Sequence, residues 1–259
     1  MIRLAAIDLD GTLLRGDGSV STRTCNATRG AVAAGLEVVI VTARGPLTVG
    51  GIAIELGVHG EAICSNGATL LDLATRRILR MRTIETEVAL QLVHALRERL
   101  PGILFAVEHE RLAHEFGFAA WDWTPPDDTR VGDAVELLAE PAAKLILRHV
   151  GHEVETIAAV AREVAGQTVS VSLSGPWVVE ISPAGVNKAS ALAELCDELG
   201  IAAADVVAFG DHLNDVPMLA WAGVAVAVAN AHPAVIDIAD EVTASNDDDG
   251  VALVLERLA

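Results

Sequence analysis

Short apolar runs alternating with helical stretches limit what this chain can become more than any single residue does. Leu4–Asp10 reads as a strand, Ser21 stands as an N-cap before a helix that ends near Gly35, and Glu37–Thr42 reads as a second apolar strand. Pro46–Gly57 then reads as helix and Ala62–Asn66 as strand. Strands that are apolar almost throughout are buried on both faces, and strands separated by helices pair in parallel. The alternation resumes late, with a helix over Lys188–Gly200, a strand over Val206–Gly210, a helix after Asn214, a strand over Val224–Val228 and a last helix reaching Leu258. The pattern predicts an α/β fold, a Rossmann-like parallel-sheet core made of residues 1–82 and 184–259 and interrupted by an insertion.

The insertion, residues 83–183, has another texture. A helix is predicted over Glu85–Arg99 and another over Glu153–Ala165. Short strands are predicted over Leu104–Val107, Leu112–Phe116, Lys144–Val150, Val169–Leu173 and Val178–Ile181. Trp121–Asp128 reads as irregular, and Ser174-Gly175-Pro176 as a turn. Strands in close succession without intervening helices imply an α+β unit with an antiparallel sheet.

Bulk properties narrow the partners. In a chain of 259 residues, 52% hydrophobic and 21% charged residues are enough for a large core without a membrane-length apolar run. No signal-peptide pattern precedes the first strand, so the expected location is cytoplasmic. A formal charge of −18 argues against nucleic acid or an anionic membrane as partner, yet permits a small anionic ligand once a cation reverses the local sign. Cys25, Cys64 and Cys196 are odd in number and far apart, which predicts buried thiols rather than disulfides. Nothing in the sequence sets the oligomeric state.

Chemistry concentrates in Ile7-Asp8-Leu9-Asp10-Gly11-Thr12-Leu13-Leu14. Two carboxylates two residues apart at a strand end are expected to share a face, and like charges held that close are costly unless a cation, a proton or a reaction uses them. Further on stand Thr42-Ala43-Arg44 at the second strand's end and Ser65-Asn66-Gly67-Ala68 before the insertion. Lys188 opens a late helix, and Gly210-Asp211-His212-Leu213-Asn214-Asp215 follows a late strand. Taken singly these are ordinary: acids that cap helices, a threonine at a strand end, an exposed lysine. Lys188 is one of only two lysines, the other being Lys144. The Asp247-Asp248-Asp249 run reads as a solvated helix N-terminus. His109-Glu110 followed by His114 lacks the spacing of a helical zinc motif.

In this order, and with Asp249-Gly250-Val251-Ala252 near the end, the segments resemble the haloacid dehalogenase-like hydrolases, specifically the Cof-type phosphatases with a large α/β cap. The resemblance covers essentially the whole chain and implies a hydrolase, a Mg²⁺-dependent phosphatase of a small phosphorylated metabolite such as a sugar phosphate. By the same resemblance Asp8 is the nucleophile that forms an aspartyl-phosphate, and Asp10 the general acid and then base. Asp8, Asp211 and the Asp10 backbone carbonyl are the metal ligands. Leu9, Thr42, Ala43, Lys188 and Asn214 bind phosphate, and Asp215 orients Lys188 or a metal-bound water. A sugar phosphomutase, a phosphatase dedicated to one sugar phosphate, or a catalytically weak phosphate-binding module are the alternatives. An intact Asp10 speaks against the last, since binding needs no general acid.

Overall fold

A computed structural model of the chain describes residues 1–119, 128–174 and 178–259. They form two compact units, Met1–Arg80 with Asn187–Ala259, and Met81–Val186.

The first unit opens with β1 (Leu4–Ile7), α1 (Thr22–Ala33), β2 (Glu37–Val41), α2 (Pro46–Leu56) and β3 (Glu61–Cys64), followed by β4 (Thr69–Asp72) and β5 (Ile78–Met81). The Ser21 hydroxyl accepts from the Thr24 N–H and starts α1. Pro46 stands in the first turn of α2, where its missing N–H costs nothing, and Gly57 ends the helix at φ 74°.

The second unit carries α3 (Thr86–Arg99), β6 (Leu104–Glu108), β7 (Leu112–His114), β8 (Arg130–Val131), α4 (Ala134–Leu137), β9 (Lys144–Arg148), α5 (Val154–Ala165), β10 (Val169–Leu173) and β11 (Val179–Pro183). Its sheet runs β10-β11-β9-β6-β7-β8 and is antiparallel but for the β7–β8 pair. Phe105, Val107, Leu145, Leu147, Val179 and Ile181 alternate along three adjacent strands and are fully buried, as one covered sheet face requires. Residues 120–127 and 175–177 lie outside the described residues, so the irregular Trp-Pro segment and most of the Ser-Gly-Pro turn fall there.

The chain returns to the first unit with α6 (Lys188–Leu199), β12 (Val206–Gly210), α7 (Val216–Trp221), β13 (Val224–Ala227), α8 (Pro233–Ile236), β14 (Glu241–Val242) and α9 (Gly250–Leu258). The sheet order is β14-β13-β12-β1-β2-β3-β4-β5, parallel from β14 to β3 and antiparallel between β3 and β4. Leu4, Ile7, Ile40 and Phe209 are fully buried at its centre, each worth ~1.5–3 kcal/mol of transfer free energy. Register is what matters for function: Ile7 pairs with Phe209 on one side and Ile40 on the other. Three neighbouring strands therefore end together, and Asp8, Thr42 and Asp211 leave from one edge.

The strand predicted over Leu4–Asp10 stops at Ile7. Leu9–Leu13 forms a wide turn with non-helical backbone at Asp10 and φ 77° at Gly11, so strand alternation does not place Asp8 and Asp10 on one face; a turn places them separately.

Candidate active site

Asp8 is the first residue past β1. Its N–H still donates to the Phe209 carbonyl (3.1 Å), a last rung that ties it to β12, and only 5% of the residue is exposed. Lys188, first residue of α6, reaches it: Nζ donates to Asp8 Oδ1 and to Asp215 Oδ1, both at 2.6 Å, with 1% of Lys188 exposed. The start of α6 is fixed by a capping box in which Asn187 and Ser190 satisfy each other's backbone N–H groups. The Ser65–Gly67 turn lies close against it. A Cβ on Gly67, at φ 102°, would stand 2.3 Å from the Asn187 carbonyl oxygen, so only glycine fits.

Asp215 is fully buried, and its second oxygen accepts from the N–H groups of Asp211 (3.1 Å) and His212 (3.0 Å). It holds the loop after β12 and the lysine at once. Gly11 lets that loop approach the first: a Cβ there would lie 2.4 Å from Asp211 Oδ2, and the Thr12 hydroxyl donates to Asp211 Oδ1 at 2.8 Å.

Three carboxylates now cluster, two of them bonded to one ammonium. Burial pushes the Asp8 carboxyl well above the usual carboxylate range, opposed by Lys188 and reinforced by Asp215 and Asp211. Burial likewise pushes Asp211 up to about 6, with Asp215 adding to it. Burial would lower the Lys188 ammonium, but Asp215 and Asp8 together outweigh it and hold the group protonated. The cluster is short of positive charge. Ligand oxygens of Asp8, Asp211 and Asp215 come within 4.8 Å of one another, and an all-oxygen, anionic donor set suits a hard divalent cation such as Mg²⁺. Both Asp215 oxygens already accept hydrogen bonds, so Asp8 and Asp211 are the better candidates to hold it.

Asp10 stands apart, its side chain 56% exposed. The Arg44 guanidinium grips it with Nε to Oδ2 at 2.7 Å and Nη2 to Oδ1 at 2.6 Å, a two-pronged pair. Thr42 is fully buried, and its hydroxyl accepts from the Arg44 N–H at 3.1 Å. Leu9 and Ala43 follow Asp8 and Thr42 directly in the two strand-end loops. Asn214 Nδ2 donates to Asn66 Oδ1 at 3.0 Å, while Asn214 Oδ1 is buried without a partner among the described residues.

Sequence reasoning left Arg44 and Asn66 without a role. Arg44 follows the predicted threonine, but its partner is distant in sequence. Asn66 sits at φ 54°, a left-handed position that asparagine tolerates, and the Asn-Gly pair after a strand was the available signal. Outside the cluster, both His109 ring nitrogens lie against backbone carbonyls, as does His114 Nδ1, which fits structural histidines rather than metal ligands. Lys144 is buried in the second unit with Glu180 at 2.6 Å and Glu108 at 3.6 Å.

The sequence profile of the haloacid dehalogenase-like hydrolases matches residues 5–255. The chain is 31% identical to the 5-amino-6-(5-phospho-D-ribitylamino)uracil phosphatase YcsE of Bacillus subtilis, over 99% of this chain and 95% of that protein. It is 29% identical to the pyridoxal phosphate phosphatase YbhA of Escherichia coli, over 96% of each. Among solved structures, a haloacid dehalogenase-like hydrolase from B. subtilis superposes with a TM-score of 0.84 at 25% identity, covering 100% of both chains.

Proposed function

The chain belongs to the haloacid dehalogenase-like hydrolases as a Cof-type phosphatase, and from that premise we propose that it hydrolyses a small phosphorylated metabolite through an aspartyl-phosphate on Asp8. The observation that carries the reading is the meeting of Asp8, Asp211 and Asp215, two of them bonded to the Lys188 ammonium, at the carboxyl ends of adjacent parallel strands.

In this mechanism an Asp8 oxygen attacks phosphorus in line, the bond to the leaving oxygen breaks, and Asp10 gives that oxygen its proton. Asp10 then takes a proton from the water that cleaves the acyl phosphate and restores Asp8. Lys188 offsets the negative charge of Asp8 and of the phosphoryl oxygens, and Asp215 keeps the lysine aimed. Thr42, with the backbone N–H groups of Leu9 and Ala43, donates to those oxygens, and Asn214 adds a further donor. Mg²⁺, held by Asp8, Asp211 and the Asp10 carbonyl, would supply Lewis-acid charge stabilisation to an otherwise repulsive encounter of anions. The inserted unit acts as the cap and selects the leaving group. The relatives named above act on dissimilar phosphate esters, which fits selection outside a shared phosphoryl site.

The test is phosphate release from a panel of phosphorylated metabolites with Mg²⁺ and with EDTA, combined with a substrate carrying stereochemically labelled phosphate oxygens. Two displacements at phosphorus give net retention. Inversion would remove Asp8 as nucleophile, and phosphoryl transfer to a sugar hydroxyl with little free phosphate would mark a mutase instead.

A further inference from the structure

The turn Asn246-Asp247-Asp248-Asp249-Gly250, whose acids read in the sequence as a solvated helix N-terminus, is engaged residue by residue. Asp247 Oδ1 accepts from the Gly16 N–H at 2.9 Å, and Asp249 Oδ1 from Arg15 Nη2 at 2.9 Å. Asp248 closes the turn on Ser245, its Oδ2 accepting from that hydroxyl at 2.7 Å. Asn246 is 8% exposed and donates from Nδ2 to the Leu14 carbonyl at 2.8 Å. Its own N–H donates to Asn230 Oδ1 at 2.9 Å, and Asn230 Nδ2 donates onward to the Gly11 carbonyl at 2.7 Å. The turn has no room for alternatives at its base, where a Cβ on Gly250 would lie 2.0 Å from the Ala244 carbonyl oxygen.

Four of these contacts, from Asn230, Asn246, Asp247 and Asp249, land on Gly11, Leu14, Gly16 and Arg15, in the loop that follows Asp10. Gly11 has left-handed backbone, and the bond from the Leu14 N–H to the Leu9 carbonyl (2.8 Å) spans the turn. The Gly11 and Leu14 carbonyls, one on each flank, are taken by the two asparagines. The carbonyl that Asn230 pins belongs to the Gly11–Thr12 peptide, one residue past Asp10, so the bond fixes the course of the chain as it leaves Asp10. Proton transfer is sensitive to such placement, and a displacement of about 1 Å can cost ~100-fold in rate.

We propose that Asn230 and Asn246, backed by Asp247 and Asp249, form a clasp that holds the Asp10 loop in its working position and are positioning residues for proton transfer to the leaving group. The proposal rests on the reading of Asp10 as general acid. The Asn-Asp-Asp-Asp-Gly segment is then part of the catalytic support, although it stands more than two hundred residues from the loop it holds.

The experiment uses the full-length enzyme with Mg²⁺ and measures kcat/KM, which reports the half-reaction that expels the leaving group, for p-nitrophenyl phosphate, phenyl phosphate and a sugar phosphate that the wild type cleaves. Asn230→Asp is close to isosteric and keeps an acceptor for the Asn246 N–H while removing the donor to Gly11. It is expected to lower kcat/KM about tenfold for the sugar phosphate, the scale of one lost hydrogen bond, and less than about twofold for p-nitrophenyl phosphate, whose leaving group needs no proton. Asn230→Ala, at an exposed position, is expected to show the same selectivity, and the thermal midpoint is followed for both. Asp10→Asn is the reference and is expected to show the larger selective loss. An equal loss on all three substrates, or none, in both Asn230 variants while Asp10→Asn is selective overturns the clasp and leaves the Asp10 assignment standing. No selectivity in Asp10→Asn overturns both.

Discussion

Replacing Lys188 by methionine tests the centre of the site, because the effect can be worked from its two bonds. Each 2.6 Å contact, to Asp8 and to Asp215, is worth about 6 kcal/mol of Coulomb energy at an effective dielectric of about 20. Desolvating the ammonium and both acids offsets most of that, since each buried ion costs several kcal/mol. Methionine removes the attraction and leaves the acids buried, and breaking a buried pair in this way costs ~3–5 kcal/mol. At roughly 2–4 °C per kcal/mol for a unit of this size, the melting midpoint should fall by about 6–20 °C. Turnover should fall by about 10²–10³, as when a donor to the developing charge is lost. Denaturant unfolding of Lys188→Met, Asp215→Asn and the double variant closes a cycle in which the double variant should lose much less than the sum of the singles. A loss under about 1 kcal/mol for Lys188→Met, as an exposed pair would give, or simple additivity in the cycle, would refute the buried-network argument.

Asp8→Asn should abolish turnover while the circular dichroism spectrum stays near wild type, because the amide keeps the shape but cannot attack phosphorus. Asp211→Ala should raise the Mg²⁺ concentration needed for half-maximal activity steeply, and an unchanged Mg²⁺ titration would remove it from the metal site. Gly67→Ala should lower both the melting midpoint and kcat, since its methyl meets the Asn187 carbonyl at 2.3 Å and displaces the start of the lysine helix; a neutral result would show that the turn yields freely. The three cysteines should resist a disulfide reagent at pH 8 in the folded enzyme. All are buried, and burial, with Asp197 adding, pushes the Cys196 thiol up to about 11, so its thiolate gains population only in strong alkali.

The elements that carry the site were legible because each leaves a local mark. Apolar strands at β1, β2 and β12, the Ser21 cap, and the proline and glycine bounding α2 follow from residues within a few positions of one another. Register is different in kind. That Ile7 lies between Ile40 and Phe209 depends on packing among segments far apart in the chain, and three equally apolar strands carry no label for it. β4 and β5 also escaped the pattern, because both are short and β4 begins two residues after the Ser65–Gly67 turn closes. The acidic run at Asp247–Asp249 is the exposed helix N-terminus that the sequence predicts, with Asp249 directly before α9, but its partners escape the sequence for a related reason. Charge alone looks solvated, and its partners, Gly16 and Arg15, lie at the other end of the sequence.

Asp8 and Asp10 are the same chemical group two residues apart, and their surroundings divide their labour in the proposed mechanism. Asp8 is walled in at 5% exposure and bonded to a lysine that remains charged, an environment that fixes the direction of its carboxylate. Asp10 lies within the turn, its side chain more than half exposed and held by a guanidinium instead of a buried lysine. Its oxygens are both occupied by Arg44, and a guanidinium that fits a carboxylate with two parallel bonds fits a phosphoryl group equally well. Paired carboxylates act as nucleophile and acid only when something makes them unequal. Here the inequality comes from ending β1 at Ile7: three more residues of strand, through Asp10, would have given both acids the same face.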